Sequence, residues 1–186
     1  MESENQELQQ AQTTPEIEVK QVKKSVGKEI WLWCRDVIIP IALIYVVFFH
    51  IIGLVLVSGS SMEPTYKNGV PLLMRRFNKT NLHRGDVVVF SIDSFQNGKT
   101  LIKRVIGVEG DEINIDFETG TVYMNGNILM EDYIKEGSTK GDPDMFPIKV
   151  PKGYIFVMGD NRNDSIDSRF KEIGLVPLSA IKGIVF

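Results

Sequence analysis

Cysteine and histidine are almost absent. Among 186 residues there is one Cys, Cys34, and two His, His50 and His83. A single thiol excludes an intramolecular disulfide framework and any Cys-rich zinc or iron–sulfur site. Two His leave little room for a His-based metal centre or proton relay. Neither sign of charge dominates: 21 Lys+Arg against 24 Asp+Glu give a net charge of −3. That balance lacks the basic excess nucleic-acid binding needs. With 43% hydrophobic and 24% charged residues, the chain is neither collagen-like, low-complexity nor wholly disordered. No internal repeat is visible.

What is present is unevenly distributed. Residues 37–57 run for 21 positions without a charge, and only Pro40, His50 and Gly53 fall outside the hydrophobic set. As a helix this stretch is about 31 Å long, enough to cross a bilayer core. A buried helix of a soluble core and a cleavable signal peptide are the rivals. The apolar run exceeds the roughly 7–15 residues of a signal peptide, so an uncleaved anchor is expected. Upstream, Lys20, Lys23, Lys24, Lys28 and Arg35 face only Glu29 and Asp36. The positive-inside rule then puts the N-terminus in the cytoplasm and the C-terminal part outside, with Trp31 and Trp33 as interfacial anchors. Residues 1–19 are polar enough to be read as a disordered tail, and 20–36 as a basic juxtamembrane segment.

Residues 58–186 hold 16 Lys+Arg and 17 Asp+Glu. Their apolar runs are short and strand-like: 70–74, 87–90, 101–108, 113–115, 121–124, 148–150, 154–158 and 181–186. Turn residues separate them, as in Asn125-Gly126-Asn127. A mainly antiparallel β domain is expected.

With so few His and Cys, serine chemistry with a lysine base is the route left. His83 sits in a polar turn before a strand, where a solvated imidazole is the default. Arg84-Gly85-Asp86 reads as a turn rather than an adhesion motif. Ser25 with Lys28 and Ser179 with Lys182 match S-x-x-K only by chance, since neither has the surrounding domain that chemistry requires. Three segments are better placed. Ser58-Gly59-Ser60-Ser61-Met62-Glu63-Pro64-Thr65 follows the apolar stretch directly. In Leu101-Ile102-Lys103-Arg104-Val105-Ile106-Gly107, strand alternation puts Lys103 with Leu101, Val105 and Gly107 and turns Arg104 away. Desolvation among apolar neighbours lowers a lysine pKa toward the range a general base needs. Gly159-Asp160-Asn161-Arg162-Asn163-Asp164-Ser165-Ile166-Asp167-Ser168-Arg169 is a polar loop rich in hydrogen-bonding groups.

Together these boxes resemble the bacterial type I signal peptidases (leader peptidases) of the Gram-positive branch, over nearly all of residues 30–186. Gly110-Asp111 and Gly85-Asp86-Val87-Val88-Val89-Phe90 fit the same pattern. The resemblance implies a mainly β fold of coiled antiparallel sheets behind one N-terminal transmembrane helix. Its catalytic core would comprise 58–111 and 151–186, with a small β cap inserted at 112–150. It implies Ser61 as nucleophile and Lys103 as general base. Ser165 would orient the Lys103 amine, Asp167 and Arg169 would form a structural ion pair, and Asp160 would support them. Met62 would contact substrate. The reaction implied is removal of signal peptides from secretory preproteins after small residues at −3 and −1, without a cofactor or metal. The partners are preproteins and the lipid bilayer, with no nucleic acid. The chain departs from some members at Gly59, where they carry a Ser that donates to the oxyanion. The Ser61 N–H remains, and Ser58 or Ser60 is a possible second donor near the oxyanion hole. A non-catalytic, membrane-anchored scaffold is the alternative, but such homologues usually lack the nucleophile or the base.

Overall fold

The computed structural model describes residues 26–76, 81–93 and 95–186. The expected disordered tail and Lys20, Lys23 and Lys24 lie outside these residues. The chain divides into two compact units, 1–42 and 43–186. The first contains most of helix α1 (Val26–Val46), with none of the helix's residues buried and with Arg35 paired to Asp36 at 2.7 Å. Pro40 lies inside α1. With the π-helical turn Val47–Ile51, the helical stretch Val26–Ile51 has the length and apolar composition to cross a membrane.

The apolar stretch 37–57 does not continue as helix to its end. Ile52–Leu56 is strand β1, antiparallel to β2 (Pro71–Arg75) with Ile52 opposite Arg75 and Leu56 opposite Pro71. The helix therefore stops short of residue 57, where the anchor was expected to end, and the strands begin before residue 58. Gly53 is a reason for the change. It weakens a helix, whereas opposite Met74 its missing side chain makes room: a Cβ there would lie 2.6 Å from Met74 Cε and from Arg76 Nε. Arg76 also donates to the Phe49 carbonyl, tying the turn to β2.

Nine further strands follow among the described residues: β3 (Val87–Ser91), β4 (Thr100–Gly107), β5 (Glu112–Asp116), β6 (Thr121–Met124), β7 (Asn127–Ile128), β8 (Ile148–Lys149), β9 (Tyr154–Met158), β10 (Val176–Pro177) and β11 (Ile181–Val185). Seven make one antiparallel sheet in the order β1-β2-β11-β3-β4-β9-β10; four make a second, β7-β6-β5-β8. The fold of the described residues is thus mainly antiparallel β with one N-terminal apolar helix. Between β6 and β7, Asn125 and Gly126 both take positive φ, as a tight hairpin turn requires.

Three apolar clusters hold the sheets. Val88, Phe90, Val105, Val157 and Ile184 belong to the first; Ile106, Ile113, Phe156 and Met158 to the second; Val57, Met62, Met74 and Val89 to the third. A bulge between Val105 and Gly107 interrupts the pairing of β4 with β9. Gly107 therefore leaves the face expected from strict alternation, and its vacant Cβ position meets Ile113 and Val150 of the second cluster. Simple period-two counting breaks at a bulge because one residue is left over.

Candidate active site

Three elements converge. The first is the turn after β1, closed at its base where Val57 N–H donates to Val70 O and Gly69 N–H to Val57 O. Within it Met62 is 1% exposed and packs among Val57, Leu72 and Met74. Met62, expected to contact substrate, packs in the third cluster and also lines the cleft. Gly59 has φ of +98°, and its N–H donates to Asn68 Oδ1 at 3.0 Å. The Ser60 hydroxyl donates to the Asp164 carboxylate. That commitment leaves it poorly placed to serve as an oxyanion donor. The Ser61 backbone N–H has no hydrogen-bond partner among the described residues.

The second element is β4. Lys103 is 2% exposed, and its Nζ lies 2.6 Å from Ser61 Oγ. Burial drives its pKa from 10.5 down to about 8. The carboxylates of Asp167 and Asp160 pull upward, and the cations of Arg169 and Lys99 push down. Ser61 and Lys103 line one cleft of about 270 Å³ with Leu101, Phe95, Asp164 and Ile166.

The third element is the loop after β9. Asn161 N–H donates to Ser61 O at 3.1 Å, and its side-chain amide to Ser60 O at 3.2 Å. Asp167 and Arg169 are fully buried and form a two-pronged ion pair, 2.8 Å at each contact. Burial disfavours the Asp167 charge, but Arg169 and the Gly159 N–H hold its carboxyl below the usual range. Asp160 accepts two hydrogen bonds from Arg104.

Ser165 departs from its expected partner. Its hydroxyl donates to Asp167 at 2.7 Å and makes no hydrogen bond to Lys103. A carboxylate is a stronger acceptor than a neutral amine, so Ser165 braces the Asp167 charge that Lys103 feels. Reasoning from sequence also gave no role to Arg104, Asn161, Asp164 or Asn68. Arg104 was legible only as pointing away from Lys103, which is how it reaches Asp160. His83 is exposed, and Asp86 accepts from its backbone N–H. Arg84 is paired to Asp111, so the Arg-Gly-Asp turn is scaffold.

Residues 30–186 match the family model described as signal peptidase, peptidase S26. The chain belongs to the signal peptidase family. Membership makes it a membrane-associated serine peptidase that removes signal peptides. Among its relatives, the signal peptidase I of Bacillus licheniformis is 32% identical, covering 87% of this chain and 90% of its own. That of Bacillus amyloliquefaciens is 35% identical, covering 88% and 86%. A crystal structure of a signal peptidase I from Enterococcus faecalis V583 is 30% identical, with TM-score 0.47, covering 57% of this chain and 97% of that one.

Proposed function

We propose that this signal peptidase cleaves secretory preproteins after small residues at −3 and −1, with Ser61 as nucleophile and Lys103 as general base. The observation that carries the reading is a buried amine of lowered pKa 2.6 Å from a serine hydroxyl at the wall of a cleft. Once neutral, the Lys103 lone pair accepts the Ser61 proton as Oγ attacks the scissile carbonyl. The ammonium so formed protonates the leaving amine. Lys103 then activates a water that hydrolyses the acyl-enzyme and restores Ser61. The Ser61 N–H donates to the developing oxyanion. Asn161 steadies that N–H by holding the carbonyls of Ser60 and Ser61. The carboxylates of Asp160 and Asp167 stabilise the transient ammonium. The N-terminus lies in the cytoplasm, the β domain of 58–111 and 151–186 works outside as the catalytic core, and the segment 112–150 caps it.

The test is cleavage of a precursor whose signal ends in Ala-x-Ala by the full-length chain in detergent. Ser61→Ala and Lys103→Ala are each expected to show no processing. Sustained cleavage by either purified variant removes that residue from the dyad.

A further inference from the structure

Residues 131–140 belong to neither sheet but run along the loop after β9 as a strap. Lys135 N–H donates to Asp160 O at 3.3 Å, Asn163 Nδ2 to Gly137 O at 3.1 Å, and Thr139 N–H to Asn163 Oδ1 at 3.1 Å. Arg169 donates to Lys140 O at 3.0 Å.

Two strap side chains contact arginines that bind the loop. Glu131 takes both terminal nitrogens of Arg162, at 2.6 and 2.5 Å, with the two side chains only 3% and 1% exposed. Tyr133 donates its hydroxyl to Glu131 Oε1 at 2.6 Å. The guanidinium carbon of Arg104 stands 4.0 Å from the centroid of the Tyr133 ring. Burial and the Glu131 contact hold the phenol protonated well above its ordinary range, so it stays a donor. Both arginines hold residues 159–160, which directly precede Asn161 in the loop. Arg162 Nε donates to Gly159 O at 3.1 Å, and Arg104 binds both oxygens of Asp160 at 2.8 and 2.6 Å. The next residue, Asn161, holds the Ser60 and Ser61 carbonyls. Space there is tight: a Cβ on Gly159 would lie 2.5 Å from Ser61 O.

We propose that Glu131 and Tyr133 are positioning residues for the peptidase reaction, fixing the 159–161 backbone against Ser61 through Arg162 and Arg104. The proposal rests on the reading of Ser61 and Lys103 as the dyad. Neither residue touches the reacting atoms. Their effect is geometric, since small displacements of a reacting group carry large rate penalties. Without the Glu131 charge, Arg162 is a buried cation that has lost its ion-pair partner among the described residues, which favours its displacement.

The experiment compares Glu131→Gln, Tyr133→Ala and Tyr133→Phe in the detergent-solubilised full-length chain, on the same precursor. Glu131→Gln removes the charge at constant shape. Tyr133→Ala removes ring and hydroxyl, and Tyr133→Phe keeps the ring beneath Arg104. Glu131→Gln and Tyr133→Ala are expected to lower kcat about 10- to 100-fold with KM within about twofold. Tyr133→Phe should recover most of the kcat lost in Tyr133→Ala, and circular dichroism should show each variant folded. Wild-type kcat in folded Glu131→Gln or Tyr133→Ala overturns the proposal, as does a loss confined to KM or a Tyr133→Phe as slow as Tyr133→Ala. Either of the first two variants decides alone if the other does not fold. A parallel Ser61→Ala sample separates the two readings: processing there refutes the dyad and leaves the strap comparison to be read by itself.

Discussion

Lys103, the proposed general base, has its pKa lowered by its surroundings at a cost to the fold. Removal from water disfavours its charge and brings the pKa to about 8, against 10.5 for a free lysine. The pH–rate profile of kcat/KM should therefore rise with a midpoint near 8. A midpoint near 10.5 would mean an exposed, unshifted amine. The same shift has a sign for stability. Between about 8 and 10.5 the unfolded chain keeps the Lys103 proton while the folded chain has released it, so this group makes stability rise with pH through that window. Below it, folding must bury the cation or strip its proton. Lys103→Met should therefore be inactive yet melt at a higher temperature than wild type at pH 7, the gap closing as pH rises above 8. Calorimetry at several pH values checks this, and a lower melting temperature for Lys103→Met at pH 7 contradicts it.

Ordered elements turn that single amine into a site. Strand β4 delivers Lys103 from the middle of a sheet, where Val88 is its cross-strand partner. The loop after β9 delivers Asn161, Asp160 and Asp167 without regular structure of its own beyond one short 3₁₀ turn at Arg162–Asp164. Such a loop needs internal bracing, and the buried Asp167–Arg169 pair supplies it. Arg169→Leu leaves the Asp167 carboxylate buried without its partner, a loss of roughly 3–5 kcal/mol, measurable as a lowered urea midpoint. By contrast Lys171→Ala, which breaks the exposed pair with Asp142 at 2.8 Å, should leave the midpoint where it is. A wild-type midpoint in Arg169→Leu would show that the pair does not brace the loop.

Much of the element plan was readable as hydrophobic runs: each of the eight runs noted between residues 70 and 186 overlaps a strand. The strands missed are instructive. β1 hid inside an apolar stretch that hydropathy cannot divide between helix and strand. β7 and β10 are two-residue strands containing Asn127 and Pro177, too short and too polar or rigid to carry a pattern.

The chain runs from a helix fit for a bilayer into a β domain in which Ser61, the proposed nucleophile, follows the first strand by five residues. In the proposed orientation, with the N-terminus cytoplasmic, protease added outside intact cells should digest residues 58–186 and spare the helix. Immunoblotting with antibodies to the β domain reports this, and full protection in intact but not permeabilised cells reverses the orientation.

By itself the sequence pointed to a chemical class. Scarce His and Cys, a Ser-rich turn after an apolar stretch, a Lys among apolar residues and a polar terminal box leave serine–lysine hydrolysis as the economical reading, because side-chain type sets which atoms can accept, donate or attack. Only the tertiary structure decided who pairs with whom. Ser60 meets Asp164, Ser165 meets Asp167 rather than Lys103, Arg104 meets Asp160, and Glu131 with Tyr133 reaches both arginines. Most of these partners are tens to a hundred positions apart in the chain. Their meeting depends on sheet order, a bulge and the path of a strap, and a local pattern of residue types carries none of those.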